Sequence, residues 1–323
     1  MDLFDTCWRR IERADVHRGC LSEIWNEHLE GHPFNFDLIH EGGGVHILRV
    51  WEERPLPADF TIRLGEWLYN VRSCLDYIIW ATAAHVTGTV PPPDEATLQY
   101  PIYESKKAWE GNLYRLKHLG EHHRQMLWTM QPFNSDADAN YLGAINNLAR
   151  IDRHRRPTEG TAYIAELEPV IQIPDGASPT LEWGQRVLSQ GRADVARLTV
   201  RPWTDDMQVT VNPRVGIDPE VGEWAKSAFW RRIRFSERLR MIQIFVAAEI
   251  AVYEYDCTGR TRKLEALTDS YRAECDARVR NGPPRRVAEP WAWSSPAEPT
   301  PSTEQRFLGH DFPGHGPGSS TRP

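Results

Sequence analysis

A chain of 323 residues can bury a substantial core, and 40% hydrophobic with 26% charged residues is ordinary for a globular protein. A formal net charge of −7 excludes a protein that coats nucleic acid through a broad positive field, although one local basic groove stays compatible with it. Five cysteines, odd in number and without a CxxC pair, exclude a disulfide framework and a zinc knuckle.

The N-terminus, Met1-Asp-Leu-Phe-Asp5, has neither the basic nor the apolar region of a signal peptide. Cys7 to Glu30 then reads as a helix with an irregular apolar face of Ile11, Ala14, Leu21, Ile24 and Leu29. Gly31-His-Pro33 ends it, because proline disfavours helix in the preceding residue. Phe34–His40 and Val45–Val50 alternate around Glu41-Gly-Gly-Gly44, a β-hairpin pattern. No helix carrying Lys-Ser/Thr follows those glycines, so they do not read as a phosphate loop.

Phe60 to His85 carries the strongest helical period, with Leu64, Leu68, Val71, Leu75, Ile78 and Ile79 on one stripe. Val90-Pro-Pro-Pro93 is an extended connector, and Pro101-Ile-Tyr103 a short extended piece. Lys106–Leu119 and Glu121–Met130 read as short helices, followed by a helix to about His154 capped by Asp136 or Asp138. From Thr161 the period becomes two, over 163–167, 170–173, 181–188, 195–200 and 207–211, with turns at Pro174-Asp-Gly176 and Ser189-Gln-Gly191. With the first hairpin these predict one antiparallel sheet, half covered by helices. Asp218-Pro-Glu220 is expected to open a long helix to about Tyr255. Its apolar window, Met241–Tyr255, is too short to span a bilayer and contains Glu249. Arg262–Arg280 reads as a more polar helix, and from Asn281 onward Pro, Ser and Gly dominate. Such a tail cannot bury enough surface to offset its ordering entropy.

The expected fold is therefore α+β: about six helices packed on an antiparallel sheet, with a disordered C-terminal tail. Residues 1–280 would form one domain, with a helical core at 60–156, a β-rich segment at 161–212 and a long helix at 220–256. Residues 281–323 would be the disordered tail. The protein is expected to be cytoplasmic and reduced, outside the membrane, with no cofactor and no metal site.

Four constellations could carry chemistry. Arg72 and Asp76, four apart on the first strong helix, could clamp a ligand or brace the fold. Asn147, Arg150 and His154 share a face of the helix ending in Asp152-Arg-His-Arg-Arg156, and the two helices could supply each other's polar partners. His154 lacks an identified nucleophile, and cations at a helix C-terminus are favoured by its dipole. His118-Leu-Gly-Glu-His122 has the HxxEH spacing of inverted zinc peptidases, but Gly120 interrupts it and no third ligand is marked. Arg231, Arg234 and Arg238 could form a phosphate stripe, against which the interleaved Glu237 favours a solvated, ion-paired face.

Asn70-Val-Arg72-Ser-Cys-Leu75-Asp76-Tyr77-Ile78, Tyr100-Pro-Ile102, Gln131-Pro-Phe133 and Leu148-Ala-Arg-Ile-Asp152-Arg-His154-Arg155 together resemble a family of uncharacterised bacterial proteins. That family carries the pattern "NLRsaLDhl … fPI … QPy … L.N.DKHR" and no activity to transfer. Its Arg-x4-His spacing also resembles the motif of HEPN ribonucleases, helical proteins that cleave RNA without metal across a dimer interface. In this chain Tyr77 stands at the His position, and tyrosine with its ordinary pKa near 10 is a poor acid/base substitute. Two readings follow, the first from the absence of any complete nucleophile, metal or phosphate constellation and the second from the HEPN resemblance. One is a non-catalytic binding or scaffold protein built around Asn70, Arg72, Asp76, Asn147, Arg150, Asp152 and His154. The other is a metal-independent HEPN-like ribonuclease, or a degenerate relative, using Arg72 with His154 as a displaced acid/base, with Asp76 a further catalytic candidate. The second implies a homodimer; partners are otherwise unassigned.

Overall fold

The structure, a computed structural model, describes residues 2–154 and 160–262 and the strand Glu304–Gln305, with the side chains of Arg153, His154, Glu304 and Gln305 outside that description. All but Arg262 of the polar helix expected at 262–280, and the tail at 281–323 save for that strand, therefore fall outside the described residues.

Two long helices, α1 (Asp5–Glu30) and α2 (Ala58–Thr87), pack along each other. All six residues of the α2 stripe, from Leu64 to Ile79, are buried. Burial of an aliphatic side chain is worth about 1.5–3 kcal/mol, so this stripe is the main anchor of the core. The shorter helices are α3 (Lys106–Gly111), α4 (Glu121–Thr129), α5 (Tyr141–His154) and α6 (Gly222–Ala225). The last, α7 (Phe235–Thr258), lays Leu239, Ile242, Val246, Ile250 and Tyr253 into the same core, and α5 docks on α2.

The strands are β1 (Phe34–Gly42), β2 (Val45–Glu52), β3 (Gly160–Leu167), β4 (Val170–Gln172), β5 (Ser178–Trp183), β6 (Arg192–Arg201), β7 (Thr210–Asn212), β8 (Val215–Val221) and β9 (Glu304–Gln305). The α+β class holds, but the single continuous sheet does not. The strands form a four-stranded sheet in the order β1-β2-β6-β5, a β3-β8 pair and a small β7-β4-β9 sheet, all antiparallel.

The hairpin turn explains the three glycines. Gly43 and Gly44 have φ of +53° and +76°, the left-handed region required at both positions of the commonest two-residue hairpin loop. A Cβ on Gly44 would lie 2.5 Å from the Val200 carbonyl oxygen and 2.8 Å from Trp203 Cβ. Gly44→Ala is expected to cost about 2 kcal/mol from backbone strain and that clash. A urea midpoint equal to that of the parent chain would contradict this.

Helix starts differ from the sequence expectation for a spatial reason. Asn140, rather than Asp136 or Asp138, caps α5, its Oδ1 accepting the Gly143 N–H at 2.9 Å. Asp138 instead accepts the Phe229 N–H at 3.2 Å. Residues 218–220 lie in β8, where Pro219 pairs opposite Ala162, so the long helix begins at Phe235 rather than at 220. A two-stranded ribbon consists only of edge strands, which is where a proline is tolerated. Asp218 nevertheless caps that helix from a distance, its Oδ2 accepting the Phe235 N–H at 2.7 Å.

Candidate functional site

Arg72 and Asp76 face the connector after α2. One Arg72 Nη donates to the Asp76 carboxylate, and the other donates to the Tyr100 carbonyl at 3.1 Å. Asp76 Oδ1 in turn accepts the Tyr100 N–H at 3.0 Å. The Tyr100 hydroxyl donates to Glu249 Oε2 of α7 at 2.7 Å. Burial pushes the carboxyl of Glu249 up and, with the charge of Glu249, pushes the Tyr100 hydroxyl up further. Gln131 completes the arrangement. Its Nε2 donates to the carbonyls of Pro101 (2.8 Å) and Leu127 (2.9 Å), and its Oε1 accepts the Tyr103 N–H at 2.9 Å. Three of the four signature pieces thus converge on the extended backbone at 100–103. Backbone without a strand partner must find its hydrogen bonds elsewhere, and these side chains supply them.

The partner of the Arg72–Asp76 pair is therefore this connector and not α5. Arg150 is exposed and its Nη2 reaches Asn147 Oδ1 at 3.4 Å. The Asp152 carboxylate lies over Gly65, where an added Cβ would meet its oxygens at 3.1 and 3.2 Å. Gly65 precedes Arg72 by seven residues, or about 10 Å along the helix axis. Tyr77, in the place of the HEPN histidine, lies under the Arg10 guanidinium at 5.0 Å from its ring centre, and Arg10 also lies 5.4 Å from the Tyr69 ring.

Asn70 and Asp152 meet elsewhere, in an open cleft of about 530 Å³ between α1, α2 and the end of α5. Arg13 and His17 of α1 line it, with Gly65, Glu66 and Tyr69 of α2. The missing side chain at Gly65 brings Asp152 close to the α2 backbone. The Asn70 amide donates to the Glu66 carbonyl at 2.8 Å. Buried His17 holds Nδ1 3.2 Å from Glu66 Oε2, near enough to pair but not aligned as a hydrogen bond. Glu66 also accepts from Arg63 Nη1 at 2.8 Å. Sequence reasoning missed the α1 contribution. The available signal was the spacing of Arg10, Arg13 and His17 at i, i+3 and i+7, which sets three basic side chains on one face.

The remaining motifs do not assemble into sites. His118 Nε2 pairs with Asp94 Oδ2 at 2.8 Å, whereas His122 Nε2 faces Asp256 Oδ1 at 3.3 Å, so the HxxEH histidines diverge. Among the described residues no group of three His, Cys, Asp or Glu side chains could hold a metal ion. Of the arginine stripe, Arg234 pairs with Glu166 and Arg238 with Glu220, and the neighbouring Arg240 pairs with Glu237 at 3.4 Å, while Arg231 is exposed. Among the described residues no helix is long and apolar enough to cross a membrane.

Burial lowers the pKa of His17, His28, His46 and His123 in the folded chain. Unfolded, each returns to about 6.5 and takes up a proton more readily. Their contribution to stability is therefore present above about pH 6.5 and is lost as pH falls below that value. Asp218 and Glu249, whose carboxyls burial pushes up, have the opposite slope, beginning in the ordinary carboxylate range. Chemical unfolding is expected to show lower stability at pH 5.5 than at pH 7.5, with a smaller difference in His123→Gln. Equal slopes in the two proteins would contradict a neutral, buried His123.

Comparison with protein-family models, with curated proteins and with solved structures finds no match to the chain.

Proposed function

We propose that the chain is a non-catalytic binding protein whose site is the α1–α2–α5 cleft. The observation that carries this reading is the division of the signature residues. Arg72, Asp76 and Gln131 are spent on the connector backbone, while Asn70 and Asp152 line an open cleft with Arg13, His17 and Tyr69. A cleft of this size falls in the range of small-molecule sites, about 300–1,000 Å³. Membership of the uncharacterised bacterial family belongs to the same proposal and rests on the four motif pieces. A cytoplasmic location is consistent with the free thiols of Cys7, Cys20, Cys74 and Cys257.

The ribonuclease alternative has less support. Arg72 would have to release Asp76 and the Tyr100 carbonyl to reach a phosphate. The side chain of His154, its acid/base partner in that reading, lies outside the described residues.

The test is a thermal-shift screen of small molecules, followed by hydrogen-exchange mapping of each hit. Hits are expected to protect residues 61–70 and to lose at least tenfold in affinity in Tyr69→Ala. Hits that consistently protect another face would count decisively against the cleft.

A further inference from the structure

Helix α7 has two apolar faces, and the core accounts for one of them. Leu239, Ile242, Val246, Ile250 and Tyr253 are buried in the core. Met241, Ile244, Ala248, Val252 and Tyr255 recur at steps of three and four residues on the opposite face, the spacing of a helix-pairing seam. The first three are half-buried, while Val252 and Tyr255 are 51% and 58% exposed. The only charged residues from 241 to 255 are Glu249 and Glu254, and both turn inward, to the Tyr100 hydroxyl and the Trp8 indole. The outward face of α1 differs as expected of a helix that ends against water: Arg9, Glu12, Arg13, Glu23 and Glu27 are all exposed. An outward face without a charge for about four turns is suited to a second helix.

The second observation is where the chain goes next. Gly259, at a φ of +70°, ends α7, and its N–H donates to the Tyr255 carbonyl at 2.7 Å. Arg260 Nη1 then pairs with Asp2 at 2.8 Å, and Arg262 pairs with Asp2 and with Glu254 Oε1, each at 3.1 Å. The chain is thereby held beside the last turn of α7, at the end where the seam is most exposed. In the sequence that follows, Leu264, Leu267, Tyr271, Cys275 and Val279 recur at steps of three and four, with charged residues between them. That is the period of one apolar stripe on a helix. The 18 residues of 263–280 would span about 27 Å as a helix, against about 21 Å for the seam.

We propose that the outward seam of α7 is the docking surface for the chain's own 263–280 segment, paired antiparallel to α7 with Leu264 and Leu267 against Val252 and Tyr255. Area decides between this occupant and a second copy of the chain. A seam about 21 Å long and about 10 Å wide offers about 200 Å². A stable dimer buries about 800 Å² on each partner, so a second copy held by this seam alone would dissociate readily. A segment tethered a few residues beyond the helix needs no such area, because the short link sets a high effective concentration.

Amide hydrogen exchange of the full chain tests this directly. Amides of 264–279 are expected to exchange at least about tenfold more slowly than in a synthetic peptide of residues 263–280. Val252→Asp combined with Tyr255→Asp, and separately Leu267→Asp, are each expected to remove that protection. Val252 and Tyr255 are exposed, so amides in the buried α2 stripe keep their protection in the double variant and verify its fold. Exchange of 264–279 at the rate of the peptide, or protection unmoved by the α7 double variant, would overturn the proposal. Sedimentation at two concentrations addresses the second copy. A monomer whose protection at 264–279 is unchanged on dilution is the expected result. Protection that disappears as a dimer dissociates would assign the seam to a second copy and overturn the proposal.

Discussion

Replacing Glu220 with Ala is expected to destabilise the protein by about 3–5 kcal/mol, the cost of breaking a buried ion pair by removing one partner. Arg238 and Glu220 have side chains 1% and 0% exposed. One Nη of Arg238 donates to Glu220 Oε1 and the other to Oε2, the latter at 2.9 Å. Its Nε donates to the Ile233 carbonyl at 2.7 Å, and its guanidinium carbon lies 5.6 Å from the Trp224 ring centre. Glu220 Oε1 also accepts the Val221 N–H at 2.8 Å. Without the carboxylate a guanidinium is left in the core with one backbone carbonyl and a ring for company. Typical domains have only about 5–15 kcal/mol of stability, so the loss would be a large part of the total. The pair ties β8 to the start of α7, which places the core stripe of that helix. Paired replacement, Glu220→Leu with Arg238→Met, is expected to cost much less than the single change, because no unpaired charge is then buried. Urea unfolding of the single and double variants checks both statements. A single-variant loss below about 1 kcal/mol would contradict the account given for the pair.

The second large effect is at Arg72. Its 8% exposure, and donation to both Asp76 and the Tyr100 carbonyl, make it the hub between α2 and the connector. Arg72→Ala leaves a partly buried carboxylate without its cation and a backbone carbonyl without a donor. We expect a loss of about 3 kcal/mol, at the lower end of the buried-pair range because the Asp76 side chain is 29% exposed. Arg72→Lys should recover only part of it, since an ammonium cannot present two donors in the guanidinium's fixed fork. Recovery of full stability by lysine, measured by urea unfolding, would show that charge alone matters there.

The long elements were legible in the sequence because their signals are local and repeated. The α2 stripe recurs at helical spacing for four turns, and the glycines of the first hairpin supply the positive φ that its turn requires. The errors came where distant residues decide. Asp218 reads as the cap of a helix that follows it directly, yet it caps Phe235 after the chain has run through β8 and α6. Asp138 reads as a helix cap, yet it pins Phe229. The division into three sheets depends on which strands find each other, which a period of two does not specify. At the site, the Arg72–Asp76 pair could be found from its spacing, but its partner could not, because a backbone carbonyl and N–H at residue 100 leave no mark in the sequence. The cleft was half legible. Asn70 and Asp152 belong to motifs, whereas Arg13, His17 and Tyr69 stand in α1 and α2 among many residues of the same types.

The signature residues hold the connector in place, and the proposed binding site is the cleft beside them. Amide hydrogen exchange at Tyr100 in Asp76→Ala tests it most directly, because Asp76 Oδ1 accepts that N–H at 3.0 Å. Tyr100 is expected to exchange at least tenfold faster in the variant, while amides in the buried stripe of α2 keep their protection. Unchanged protection at Tyr100 would mean that the connector is held without Asp76, and that the Arg72–Asp76 pair serves some other purpose than bracing the fold.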